Sequence, residues 1–216
     1  TCLSALSESN NKQYGTIDDP INNSKGCGGI MRSAPVGLYF HKSAEKAFQM
    51  AAQCAAITHG HPSGYLSAGA LACIISEIIN DRDVKAAALH AATILKTYNQ
   101  HEECLDILQR AITLSTKDVE PSDAVKSLGE GWVGEEALAI AVYCALKYEN
   151  DFEKAVRLAV NHSGDSDSTG AICGNILGAY HGIEGIPEKW IKNVELGDLI
   201  MGLADRLLAA GAEAIG

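Results

Sequence analysis

From Ser43 onward, apolar residues recur three and four positions apart and nowhere alternate with polar ones, a pattern that constrains the chain to fold as packed helices. Ser43, a residue type that caps helix starts, precedes the face Ala44, Ala47, Phe48, Ala51, Ala52 and Ala55. That helix is expected to stop at Thr58-His59-Gly60-His61-Pro62, where Pro62 suits the first position of the next helix. The pattern predicts further helices over 63 to 80, 83 to 98 and 101 to 115, a short one over Pro121 to Leu128, and one from about Glu135 to Lys147. Asp151 opens another that reaches Val160. Glu195 to Ala212 reads as a final amphipathic helix with Leu196, Leu199, Ile200, Leu203 and Leu207 turned inward. At the other end, Cys2 to Leu6 reads as the end of an amphipathic helix, so the chain is expected to be part of a longer one; residues 9 to 26 carry loop chemistry. With 47% hydrophobic residues, 216 residues can enclose one core, and the expectation is a single all-α domain over 1–216.

The densest chemistry lies in Asn161 to His181, NHSGDSDSTGAICGNILGAYH. Asp165 and Asp167 stand two apart, Ser168 and Thr169 follow, and Gly164 and Gly170 bracket them. Carboxylate and hydroxyl oxygens without adjacent thiols suit a hard cation, Mg²⁺ or Mn²⁺. The competing reading is that Asp165, Asp167 and Ser168 are alternative caps for a helix starting at Gly170. Gly170, Gly174, Gly178 and Gly182 would then form one stripe open to close approach by a neighbour. A calcium-hand loop beginning at Asp165 fails, since Ile176 occupies the position of its bidentate Glu. The aspartyl-phosphate pattern D-x-D-x-T is also spelled, but its nucleophile belongs at a strand tip and the upstream residues are helical.

Two glycine-rich turns accompany this stretch. Gly26, Cys27, Gly28 and Gly29 precede the apolar run Ile30 to Phe40, which reads as a turn feeding a helix, either with backbone N–H groups free for a phosphate or merely as a helix start. Arg32 is expected to tie loops together through carbonyls or a carboxylate. His59 and His61 flank Gly60 at an interhelical corner, where either is a helix cap or a polar contact for a ligand, the contact being favoured over paired metal ligation. Gly129, Gly131 and Gly134 surround Trp132, which is either a ligand-stacking platform or an indole folded over the core.

Charged residues total 20% and the net charge is -10, so a basic nucleic-acid-binding face is not expected. The seven cysteines show no CxxC pair and are odd in number, which fits reduced thiols and disfavours both zinc and a disulfide framework. No signal-peptide pattern and no evident membrane-spanning run occur, and a cytoplasmic protein without a membrane partner is the expectation.

Four blocks in one order, SKGCGGIMRSAP (24 to 35), THGHP (58 to 62), GEGWVGEEA (129 to 137) and GDSDSTGAICGNILGAYHG (164 to 182), resemble the ADP-ribosylglycohydrolase family, including its dinitrogenase reductase-activating members. The resemblance implies a compact, orthogonally packed multi-helix domain with two Mg²⁺ or Mn²⁺ ions in a cleft. There ADP-ribose would be removed from a modified protein side chain, commonly arginine, with an ADP-ribosylated protein or an ADP-ribose-containing small molecule as partner. It assigns Asp165, Asp167 and Ser168 to half of the metal site, with Asp167 bridging. It assigns Gly26, Cys27, Gly28 and Gly29 to a diphosphate cradle, and His59 to the ribose-diphosphate side; Trp132 joins the ADP-ribose contacts as the stacking platform. Cys27 stands where the family commonly has Asn, and Ser168 where Thr is frequent. The family's upstream Thr-Asp-Asp block, which supplies the other ligands and a candidate catalytic acid, has no counterpart; Asp18-Asp19 lies too close to the glycine turn. The chain is accordingly expected to be the C-terminal part of a longer family fold and inactive alone, with the catalytic group elsewhere. The alternative is a catalytically inactive ADP-ribose-binding or structural relative.

Overall fold

A computed structural model describes residues 1–9 and 14–213, so residues 10 to 13 of the expected loop over 9 to 26 lie outside the described residues. Among the described residues there are twelve α-helices and no strand. They are α1 (Cys2–Ser9), α2 (Ala34–Tyr39), α3 (Ala44–Ala56), α4 (Pro62–Ile79), α5 (Val84–Leu95), α6 (Glu102–Ser115), α7 (Pro121–Leu128), α8 (Gly134–Lys147), α9 (Phe152–Val160), α10 (Ser166–His181), α11 (Glu188–Asn193) and α12 (Gly197–Glu213), with 3-10 turns at Ile30–Arg32 and Ile183–Gly185.

Every residue of α4 from Ser63 to Ile78 is buried. A helix enclosed on all sides must be apolar all round, and α4 supplies this with small residues that admit its neighbours closely. A Cβ at Gly69 would lie 2.6 Å from the Phe48 ring of α3, and one at Gly37 of α2 would lie 2.5 Å from Ala72 O. The helix has the length and mean hydropathy of a membrane span, a feature the sequence reading passed over, yet it is enclosed by α2, α3, α5, α8 and α10. The second enclosed helix is α8, whose residues Ala137 to Ala145 are all buried. Caps fall where their chemistry predicts: Ser43, Asp83 and Asp151 each accept the N–H three residues on, and His61 Nδ1 accepts that of Ser63.

Four expectations change. The run Ile30 to Phe40 is not one helix. Pro35 has no N–H to give the carbonyl four residues back, so the chain makes a 3-10 turn and restarts as α2 with Pro35 in its first turn. Helix α10 begins at Ser166 rather than Gly170: Asp165 O accepts the Thr169 N–H at 3.2 Å, and the Thr169 hydroxyl donates to Ala159 O at 2.7 Å, anchoring the first turn on α9. Along its glycine stripe, Gly170 does admit a neighbour, Val160 of α9, but Gly174 and Gly178 face open space. The inward face assigned to α12 is also wrong. Leu196, Leu199, Ile200 and Leu203 are exposed and Leu207 is half-buried, because α12 packs mainly on α2 and α11.

This arrangement predicts a contrast in stability. Leu199, 56% exposed, should accept Gln with a change within about 0.5 kcal/mol. Leu138→Ala in the enclosed α8 should cost about 2–5 kcal/mol, both measured by urea unfolding.

Candidate functional site

The glycine turn, the loop before α8 and the start of α10 meet around Cys27. Gly26 and Val133 form an isolated antiparallel bridge, Cys27 N donates to Trp132 O at 3.1 Å, and Gly134 N donates to Lys25 O at 2.7 Å. On the other side of the loop, Asp165 N donates to Glu130 O at 2.7 Å. This contact needs glycine at 164, where a Cβ would stand 1.8 Å from Glu130 O. Gly129 and Gly131 have φ of 117° and 79°, in the left-handed region open to glycine. The peptide N–H groups of Glu130 and Gly131 both donate to Glu136 Oε2 at 3.0 Å, so an acid placed by sequence at a helix start also shapes the preceding loop.

Within this frame the Cys27 thiol donates to Asp165 Oδ2 at 2.6 Å, and the buried Ser168 hydroxyl lies 3.5 Å from Cys27 Sγ. Burial, then the Asp165 carboxylate, pushes the thiol up to about 11, so it stays protonated and donates. Burial alone would raise Asp165, but interactions with Asp167, Cys27 and Ser168 together hold its carboxyl below the usual range. Asp167, in the first turn of α10, is exposed. Asp165, Ser168 and the glycine turn are therefore one cluster, joined by a residue pair 138 positions apart.

His59 packs beneath the turn, its Nε2 lying 3.6 Å from a Cβ built at Gly26 and 3.2 Å from one at Gly28. Arg32 Nη2 donates to Thr58 Oγ1 at 2.7 Å and to Cys54 O at 3.2 Å, the carbonyl-tying role expected for it. Thr58 Oγ1 lies 2.8 Å from His59 Nδ1. The Thr58 hydroxyl has two acceptor sites and one proton, so with Arg32 on one site it can pair with either tautomer of the ring, whose Nε2 faces the turn. Burial, then the charges of Arg32 and the amino terminus, lowers His59 to about 4, so the ring is neutral at pH 7. His61 instead caps α4 and hydrogen-bonds Ser24 O through its N–H.

The expected cradle of four amides is halved. Gly26 N is taken by Ser24 Oγ and Cys27 N by Trp132 O, which leaves the N–H groups of Gly28 and Gly29 without an acceptor among the described residues. Trp132 is not folded over the core. Its indole is 57% exposed and Nε1 donates to Glu130 Oε2 at 3.1 Å. Among the described residues, no group of three or more His, Cys, Asp or Glu side chains is arranged to hold a metal ion.

Two further residues escaped the sequence reading. His162 takes the Gly164 N–H on Nδ1 and lies 2.9 Å from Thr169 Oγ1 through Nε2, bracing the turn before α10. Lys25 Nζ lies 2.7 Å from Glu135 Oε1 of α8 and also pairs with Glu103 of α6. Nothing local announces either.

The sequence profile of the ADP-ribosylglycohydrolase family matches residues 1–215. An uncharacterized protein of Archaeoglobus fulgidus is 31% identical over 84% of this chain and 57% of its own length. The ADP-ribosylarginine hydrolase Tri1 of Serratia proteamaculans is 26% identical over 85% of this chain and 46% of its own. The chain thus spans about half the length of these relatives. A solved ADP-ribosylglycohydrolase-related protein complex matches the fold with a TM-score of 0.66 and 24% identity, covering 97% of this chain and 68% of that one.

Two outcomes follow from the geometry. Gly164→Ala should break the Asp165–Glu130 bond, seen as faster amide exchange at Asp165. For His59, the unfolded ring binds a proton near 6.5 and the folded one only near about 4, so stability should fall as pH drops through that window. His59→Gln should flatten that part of the stability curve.

Proposed function

Because this chain belongs to the ADP-ribosylglycohydrolase family, we propose that it acts in a divalent-metal-dependent hydrolase that removes ADP-ribose from a modified protein side chain, at an arginine-type N-glycosidic bond. The observation that carries the reading is the meeting of Asp165, Ser168 and the glycine turn at the 2.6 Å contact between Cys27 and Asp165. The name of the Serratia relative, an ADP-ribosylarginine hydrolase, favours arginine as acceptor.

In this reading Asp165, Asp167 and Ser168 would hold Mg²⁺ or Mn²⁺. The donor set fits a hard cation in kind, all oxygen, though two carboxylates and one hydroxyl are only part of the ligand sphere such ions need. A bound ion would supply Lewis-acid stabilisation of oxygen charge. The protein's own groups do the rest. The free N–H groups of Gly28 and Gly29 would meet the diphosphate, the His59 Nε2 edge a ribose or phosphate oxygen, and the exposed Trp132 indole a flat group of the substrate. Neutral His59 adds no charge there.

The small ligand set also favours a second reading, an ADP-ribose-binding relative without turnover. Release of ADP-ribose from an ADP-ribosylarginine peptide with excess Mn²⁺, measured beside ADP-ribose binding, separates the two. Binding is expected with this 216-residue chain, and little release, since three oxygen ligands strip hydrated cations poorly. In any form that turns over, Asp167→Ala should abolish Mn²⁺ binding and hydrolysis together; retained turnover would sink the metal assignment.

A further inference from the structure

Immediately before the glycine turn, Lys25 ties three helices to it. Its ammonium lies 2.7 Å from Glu135 Oε1 in the first turn of α8 and also pairs with Glu103 of α6, which in turn accepts the hydroxyl of Ser63 in the first turn of α4. Its carbonyl takes the Gly134 N–H at 2.7 Å. Gly134 itself is pressed against α4, since a Cβ there would lie 2.4 Å from Ser67 Oγ. The chain leaving Lys25 therefore starts from a point fixed on α4, α6 and α8, and the next residues are Gly26 to Gly29.

Glu135 is 3% exposed and its Oε2 is buried without a hydrogen-bond partner. An ion pair with one partner buried and one of its oxygens unsatisfied, the lysine being a third exposed, contributes little stability over an apolar pair of the same volume. What the pair does supply is direction, because the ammonium is held from two sides at one position. Burial opposes the charge on Lys25, yet hydrogen bonds to Glu103 and Glu135 raise its pKa, so the cation persists.

We propose that Lys25 is a positioning residue for the anion-binding turn, its pairing with Glu135 and Glu103 fixing where the Gly28 and Gly29 N–H groups point. The ligand half of this inference rests on the ADP-ribose reading above; the placement of the amides does not.

The test compares Lys25→Met, Lys25→Arg and the double variant Lys25→Met/Glu135→Met in thermal unfolding, in amide exchange without ligand at Cys27 and Gly134, whose N–H groups tie the turn to Trp132 O and Lys25 O, and in ADP-ribose affinity by calorimetry. Lys25→Met leaves Glu135 buried and unpaired and should lower Tm. The double variant replaces the ion pair by apolar contact and should recover Tm. In both, exchange at these two amides should quicken about tenfold and ADP-ribose should bind about tenfold more weakly, equivalent to about 1.4 kcal/mol. Lys25→Arg should restore both. Exchange and affinity at wild-type values in the double variant would overturn the proposal and leave Lys25 a stability residue. If the unaltered protein binds no ADP-ribose, the proposed function fails, and exchange alone decides: quickened exchange in the double variant supports the pin, unchanged exchange overturns it.

Discussion

Close packing around α4 is the constraint on which the rest depends. A helix buried from Ser63 to Ile78 can be surrounded by five others only if its surface is low in several places. The clashes that a side chain would meet at Gly69 and Gly37 show where backbones approach most closely. Aromatic residues are only 6% of the chain, and most of the core is alanine, leucine and isoleucine, so helices sit near one another instead of being spaced by rings. Among the few buried rings, Phe48 stacks on Tyr98 with ring centroids 4.7 Å apart. Its burial is worth about 1.5–3 kcal/mol.

Close packing has a consequence at the helix starts. The first turns of α4, α8 and α10 gather about the glycine turn: α4 through Ser63 and Glu103, α8 through Glu135 and the Gly134 N–H, α10 through Asp165. Helix N-termini carry partial positive charge, which favours anions. Here the acids Glu135, Glu136, Asp165 and Asp167 crowd those ends in a chain already at net charge -10. One lysine, two held carboxylates and a protonated thiol keep this acidic corner compact. The neutrality of His59 fits the same balance, since a second cation beside Arg32 would be repelled.

How much of this was legible depended on whether the deciding partner is near in sequence. Caps at Ser43, Asp83 and Asp151 are local events, and so are the extents of α7, which begins at Pro121, and of α8. The break at Pro35 was equally local and was missed because the apolar pattern was weighed above the missing N–H. The membership of Asp165, Ser168, the glycine turn and His59 in one neighbourhood could be expected from the blocks they share with a family. The joining contacts could not: Lys25 to Glu135 spans 110 positions and Cys27 to Asp165 spans 138. The α12 error has another cause. Amphipathic spacing states that a face wants cover, and says nothing of whether the elements present supply it.

The thiol at position 27 sharpens the question of what the carboxylates can do. A hydroxyl or thiol pointing at Asp165 might be thought to occupy the oxygen a cation needs. It does not, because each carboxylate oxygen offers two lone-pair directions and Cys27 takes one direction on Oδ2. Its effect is orientation. The short contact holds the Asp165 carboxyl against the glycine turn, where the exposed Asp167, two positions further along, also interacts with it.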